Sequence, residues 1–125
     1  MRRILLVILL ISLGGCGRGQ PRMAGGKWAE ALRASDPKVR KKAAFTLGNI
    51  GPGDPAVLPA LLAALKDTDS GVRREAILAL LKLGPGAGEA VPVVEEMSRR
   101  DPDSRVRACA TQALGKLRNE PAGSR

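Results

Sequence analysis

The two thiols, Cys16 and Cys109, are the strongest nucleophiles the chain could offer, and neither has an imidazole to act as its base, because the 125 residues include no His. Ser-His and Cys-His catalytic pairs and His-containing metal sites are therefore excluded. Two Cys cannot build a four-thiolate zinc site or a disulfide framework. The acids do no better. Asp67-Thr68-Asp69-Ser70-Gly71 begins with the spacing of a calcium loop, but it lacks an acid at the fifth position and has Leu78 where the closing Glu should stand. A turn followed by a helix cap explains it, and the same explanation covers Asp101-Pro102-Asp103-Ser104. Glu95 and Glu96 are adjacent, so on a helix they point about 100° apart and cannot share one cleft. The expectation is a protein with no catalytic residue, no metal and no cofactor.

Cys16 has a different kind of chemistry open to it. It closes a segment that begins Met1-Arg2-Arg3, continues as an apolar run from Ile4 to Leu13 and ends Gly14-Gly15. A basic start, a short apolar stretch and small residues are the three parts of a secretory signal peptide. The run is too short to span a bilayer, which takes ~20 apolar residues. Leu13-Gly14-Gly15-Cys16 resembles the lipobox of bacterial lipoproteins. That resemblance implies cleavage before Cys16, acylation of its sulfur and new amino group, and a membrane-anchored protein of the bacterial cell envelope. Gly17 rather than Asp after the Cys implies the periplasmic side of the outer membrane in a cell that has two membranes. On this reading residues 1–15 are the signal peptide and 16–26, rich in Gly and Arg, form the acylated Cys and a flexible tether.

The formal charge of +9 falls to +7 once Arg2 and Arg3 are removed. A basic protein raises the question of nucleic acid, but export and an aromatic content of 2% leave neither the compartment nor the rings for base stacking. No nucleic-acid partner is expected. The basic residues cluster near the anchor: Arg18, Arg22, Lys27, Arg33, Lys38, Arg40, Lys41 and Lys42 face only Glu30 and Asp36 before residue 52.

The elements that must position any site come from a repeat. Asp36, Val39, Arg40, Ala43, Leu47 and Ile50 recur as Asp69, Val72, Arg73, Ala76, Leu80 and Leu83. They recur again as Asp103, Val106, Arg107, Ala110, Leu114 and Leu117, at spacings of 33 and 34 residues. Val, Ala, Leu and Leu/Ile at i, i+4, i+8 and i+11 lie on one helical face. The Asp suits an N-cap, and Gly51 and Gly84 suit C-caps. A shorter apolar helix precedes each copy, over 27–34, 57–66 and 90–99, with Pro59 and Pro92 near the starts of the latter two. The expectation is an all-α fold, a short α-solenoid of three helix pairs over 27–118 (27–51, 52–84 and 85–118), with a tail at 119–125.

The pattern D-x-x-V-R-x-x-A-x-x-x-L resembles the short HEAT-like repeats of bacteria, including the phycobilisome-lyase type. The resemblance implies a ladder of Asp36, Asp69 and Asp103 with Arg40, Arg73 and Arg107 along one side of the stack, and a concave side lined by the second helix of each pair. The residues turned away from the buried stripe are Lys38, Lys41, Lys42, Phe45 and Asn49 in the first copy. Arg74, Glu75, Leu78 and Lys82 follow in the second, and Ala108, Cys109, Gln112 and Lys116 in the third. Phe45 and Leu78 hold equivalent positions, with Lys41, Lys42, Arg74 and Lys82 around them. They form either a partner-binding patch or cover between repeats. Cys109 is either buried or paired with another chain.

Three functions compete at this point. The first is a lipid-anchored, non-enzymatic binding module for another envelope protein. The second is an enzyme or enzyme accessory, by fold analogy with bilin lyases and HEAT-like DNA glycosylases. The third is a solenoid that associates with itself.

Overall fold

The computed structural model describes residues 20–119. Over these residues the chain forms α1 (Gln20–Ala31), α2 (Pro37–Ile50), α3 (Val57–Ala64), α4 (Ser70–Leu83), a 3-10 segment (Gly84–Ala90), α5 (Val91–Arg100) and α6 (Ser104–Asn119), with no strand among the described residues. The helices pair as α1–α2, α3–α4 and α5–α6, and α4 packs against both α2 and α6. The fold is a short all-α solenoid. The expected signal peptide, the lipobox-like run ending at Cys16 and the tail beyond Asn119 lie outside the described residues.

Local chemistry sets the boundaries of the second helices. Asp36 accepts from the Lys38 backbone N–H at 2.8 Å, Asp69 from Val72 at 3.0 Å, and Asp103 from Arg105 at 2.7 Å. Each carboxylate thus satisfies a donor that the first helical turn leaves without an intrahelical partner. Gly51 and Gly84 end α2 and α4 at φ 86° and 64°, values that any residue with a Cβ adopts at a cost.

Two expectations are corrected here. The first helix begins at Gln20, seven residues before Lys27, so residues 20–26 are not a tether. Gly25 explains why: it is buried, its N–H donates to Asp54 Oδ2 at 3.1 Å, and a Cβ on it would stand 2.5 Å from that oxygen. A glycine that weakens a helix in isolation is retained where only a bare backbone can meet the neighbouring carboxylate. Val39, assigned to the buried stripe, is 40% exposed, whereas its equivalents Val72 and Val106 are buried. Each of those two faces a preceding second helix, and α2 has no such neighbour among the described residues.

The core consists of small and aliphatic side chains. Leu47, Leu61, Ile77 and Leu80 are the largest that are fully buried, and Ala43, Ala44, Ala76, Ala79, Ala110 and Ala113 fill the approaches between helices. A tight approach brings Gly48 of α2 against Ala79 of α4: a Cβ on Gly48 would meet the Ala79 Cβ at 2.8 Å and its Cα at 2.9 Å. Ala87 and Ala90 of the 3-10 segment join the same core, so the link from α4 to α5 is itself packed.

Gly48 and Gly115 hold the same position in the first and third copies, yet a Cβ on Gly115 would meet nothing within 4 Å. Replacing each with Ala separates helix propensity from packing. Gly115→Ala should raise stability by up to about 1 kcal/mol, while Gly48→Ala should lower it by about 1–3 kcal/mol through overpacking. Urea unfolding of both variants measures the difference.

Candidate functional site

Arg40 and Arg73 are held by their own repeat and reach into the next one. Arg40 Nη1 donates to the Ala34 and Ser35 carbonyls at 2.9 and 3.0 Å, while its Nε and Nη2 donate to the Asp67 carboxylate at 2.9 and 3.1 Å. Arg73 repeats this geometry. Its Nη1 donates to the Asp67 and Thr68 carbonyls at 2.8 and 3.1 Å, and its Nε and Nη2 donate to Asp101, both at 2.9 Å. Asp67 and Asp101 also accept the backbone N–H of Asp69 and Asp103, both at 2.9 Å. The acids of this ladder are therefore Asp67 and Asp101, two residues before the ones assigned to it. Asp36, Asp69 and Asp103 are occupied as N-caps.

Both guanidiniums are held further toward the charged form by the carboxylate that they grip, Asp67 for Arg40 and Asp101 for Arg73. The N–H groups of Arg105 and Val106 hold Asp103 below the usual carboxylate range. A depressed carboxylate contributes stability at neutral pH that is lost as the pH falls through its folded value. All of these groups serve the stack.

The face turned away from the core is different. Phe45 is 48% exposed and forms the apolar floor of an open groove between α2 and α4, walled by Lys38, Lys41 and Lys42 on one side and Glu75 on the other. The groove has a volume of about 330 Å³. Lys82 crosses from α4 and sets its Nζ 4.1 Å from the centre of the Phe45 ring, and it donates to Asn49 Oδ1 at 3.0 Å. The cation–π contact at an exposed site contributes roughly 0.5–1 kcal/mol, enough to orient the ring without burying it. Phe45, Lys41, Lys42 and Lys82 are thus brought together. Leu78 and Arg74 line the next groove, between α4 and α6, with Arg105, Ala108, Cys109 and Gln112.

Cys109 is half-buried, and burial pushes its thiol above the ordinary range. It is protonated at neutral pH and a poor nucleophile. No group of three or more acids or thiols is placed to hold a metal ion among the described residues. What the two grooves can do chemically is bind: they offer cations around an exposed ring and a half-buried aliphatic side chain.

HEAT repeats match the chain over residues 27–115, spanning all three helix pairs. The chain belongs to the HEAT-repeat family. No curated protein matches the chain. HEAT repeats commonly mediate protein–protein contact, and in this member the exposed ring and its lysines lie on the second helices of neighbouring pairs.

The Lys82–Phe45 contact was not legible in the sequence. It joins positions one helical turn apart in the repeat: the Lys82 side chain, which reaches its own equivalent Asn49, also lies over the ring one turn back.

Because the ring is exposed, Phe45→Ser should change stability by less than about 1 kcal/mol, whereas Leu80→Ala, at a fully buried position, should cost ~2–5 kcal/mol. Thermal melts of both variants test the placement. Cys109 should react with a maleimide more slowly than an exposed thiol at the same pH, and equal rates would show that the thiol is accessible and ionised.

Proposed function

We propose that the chain is a non-catalytic protein-binding module of the bacterial cell envelope, anchored through lipid on Cys16. The groove around Phe45 is its partner-binding surface. The observation that carries this reading is an exposed Phe, floored in a groove and ringed by Lys38, Lys41, Lys42 and Lys82, in a HEAT-repeat chain. An aromatic anchor with a rim of cations suits a protein segment that offers an apolar side chain between carboxylates. The anchor rests on the run from Met1 to Cys16 and its likeness to a lipobox. Two or more acyl chains give stable attachment, where one is marginal. The clustering of Lys and Arg before residue 52 would place the basic end next to anionic headgroups.

The reading has two separable parts. Cys16→Ser in the full-length chain should move the protein out of the membrane fraction or leave it unprocessed, and unchanged acylation would contradict the anchor. Phe45→Ser combined with Lys41→Glu should reduce recovery of one partner from solubilised membranes at least tenfold without lowering Tm. Undiminished recovery of that partner would move the binding surface away from α2.

A further inference from the structure

Among the described residues the ladder has an open rung. Arg107 is the third copy of Arg40 and Arg73, and its Nη1 donates to the Asp101 and Pro102 carbonyls at 2.7 and 3.4 Å, as its equivalents do within their own turns. Its Nε and Nη2, which in the other two copies clasp the carboxylate of the following repeat, have no carboxylate among the described residues.

The same face continues along α6. One turn on from the arginine stand Ala44, Ile77 and Thr111, and one turn further stand Gly48, Leu81 and Gly115. In α2 and α4 the middle residue is fully covered, with Ala44 at 0% and Ile77 at 1% exposure, while Thr111 is exposed and its hydroxyl is spent on the Arg107 carbonyl at 2.9 Å. Gly48 admits the backbone of α4, and Gly115 presents the same bare position with nothing within 4 Å of a Cβ. The row Arg107, Thr111, Gly115 therefore reproduces Arg40, Ala44, Gly48, the row on which the α3–α4 hairpin sits with Asp67 in its turn.

We infer that this outer row of α6 is a docking surface for an α-helical hairpin of another protein that presents an aspartate in the turn between its helices. The carboxylate would complete the bidentate pair on Arg107, and a small residue on its second helix would close on Gly115. A second copy of this chain stacked head to tail does not fit, because Ala34 stands in its first turn where Asp67 and Asp101 stand in the others. The surface is separate from the Phe45 groove, so either can fail without the other.

The probe is a synthetic hairpin with the sequence of residues 52–84, its helices stapled together and its helicity checked by circular dichroism. It should bind the full-length chain in detergent saturably. Binding should weaken at least tenfold when the hairpin carries Asp67→Asn or the chain carries Arg107→Gln, and a photoreactive residue at 111, but not at 53, should cross-link to the hairpin. A second arm does not depend on affinity. Appending residues 52–84 after Asn119 should raise Tm by several degrees, and Asp→Asn at the appended copy of position 67 should cancel the rise. The proposal is overturned by indifference to Asp67 or Arg107, by cross-links between two copies of the chain, or by an appended hairpin that leaves Tm unchanged. Binding that appears only after residues 120–125 are deleted would also overturn it, since the chain's own tail would then be the occupant.

Discussion

The bidentate pairs Arg40–Asp67 and Arg73–Asp101 are the interactions on which the rest of the structure depends. Each arginine ties the turn inside its own repeat to the turn of the next, through two carbonyls on one side and a carboxylate on the other. The Asp101 side chain is 4% exposed, so its charge is tolerable only because Arg73 and the Asp103 N–H satisfy it. Apolar contacts between α2, α4 and α6 would allow the helices to slide. A planar fork on a planar carboxylate does not, because its hydrogen bonds are lost within a fraction of an ångström.

Fixed register has consequences on the opposite face. With α2 and α4 locked at their N-terminal ends, Gly48 closes on Ala79, and Lys82 arrives above the Phe45 ring. The small residues between the helices and the exposed groove are thus two results of one constraint. Replacing a buried Ala by a larger side chain would separate the helices and carry Lys82 away from Phe45, weakening the binding face without touching it.

Most of the fold was legible in the sequence, because a three-fold repeat states the same instruction three times. Asp at the cap, Val, Ala and Leu on one face and Gly at the end are local signals, and the helices follow them. What escaped is what depends on neighbours. Val39 fits the apolar stripe as well as Val72 does, but burial requires a preceding second helix, and pattern alone cannot say whether one is there. Gly25 argues against a helix until Asp54 is placed against it. The ladder acids were visible in principle: Asp67-Thr68-Asp69 and Asp101-Pro102-Asp103 share a pair of acids that Ala34-Ser35-Asp36 lacks, which marks the first acid as facing a preceding arginine. Of the groove, the exposure of Phe45 could be read from helical spacing, whereas the Lys82 contact depends on which way a long, flexible side chain leans across the helix pair.

The central claim is that the arginine–aspartate pairs, more than the apolar stripe alone, hold the repeats in register. A double-mutant cycle on Arg73 and Asp101, by urea unfolding, tests it most directly. The account predicts that Asp101→Ala alone costs ~3–5 kcal/mol, because it leaves a part-buried guanidinium without its carboxylate. Removing Arg73 as well should then cost little more, for a coupling of ~1–3 kcal/mol. Single effects that simply add, or a loss below about 0.5 kcal/mol for Asp101→Ala, would contradict it and leave the register to packing.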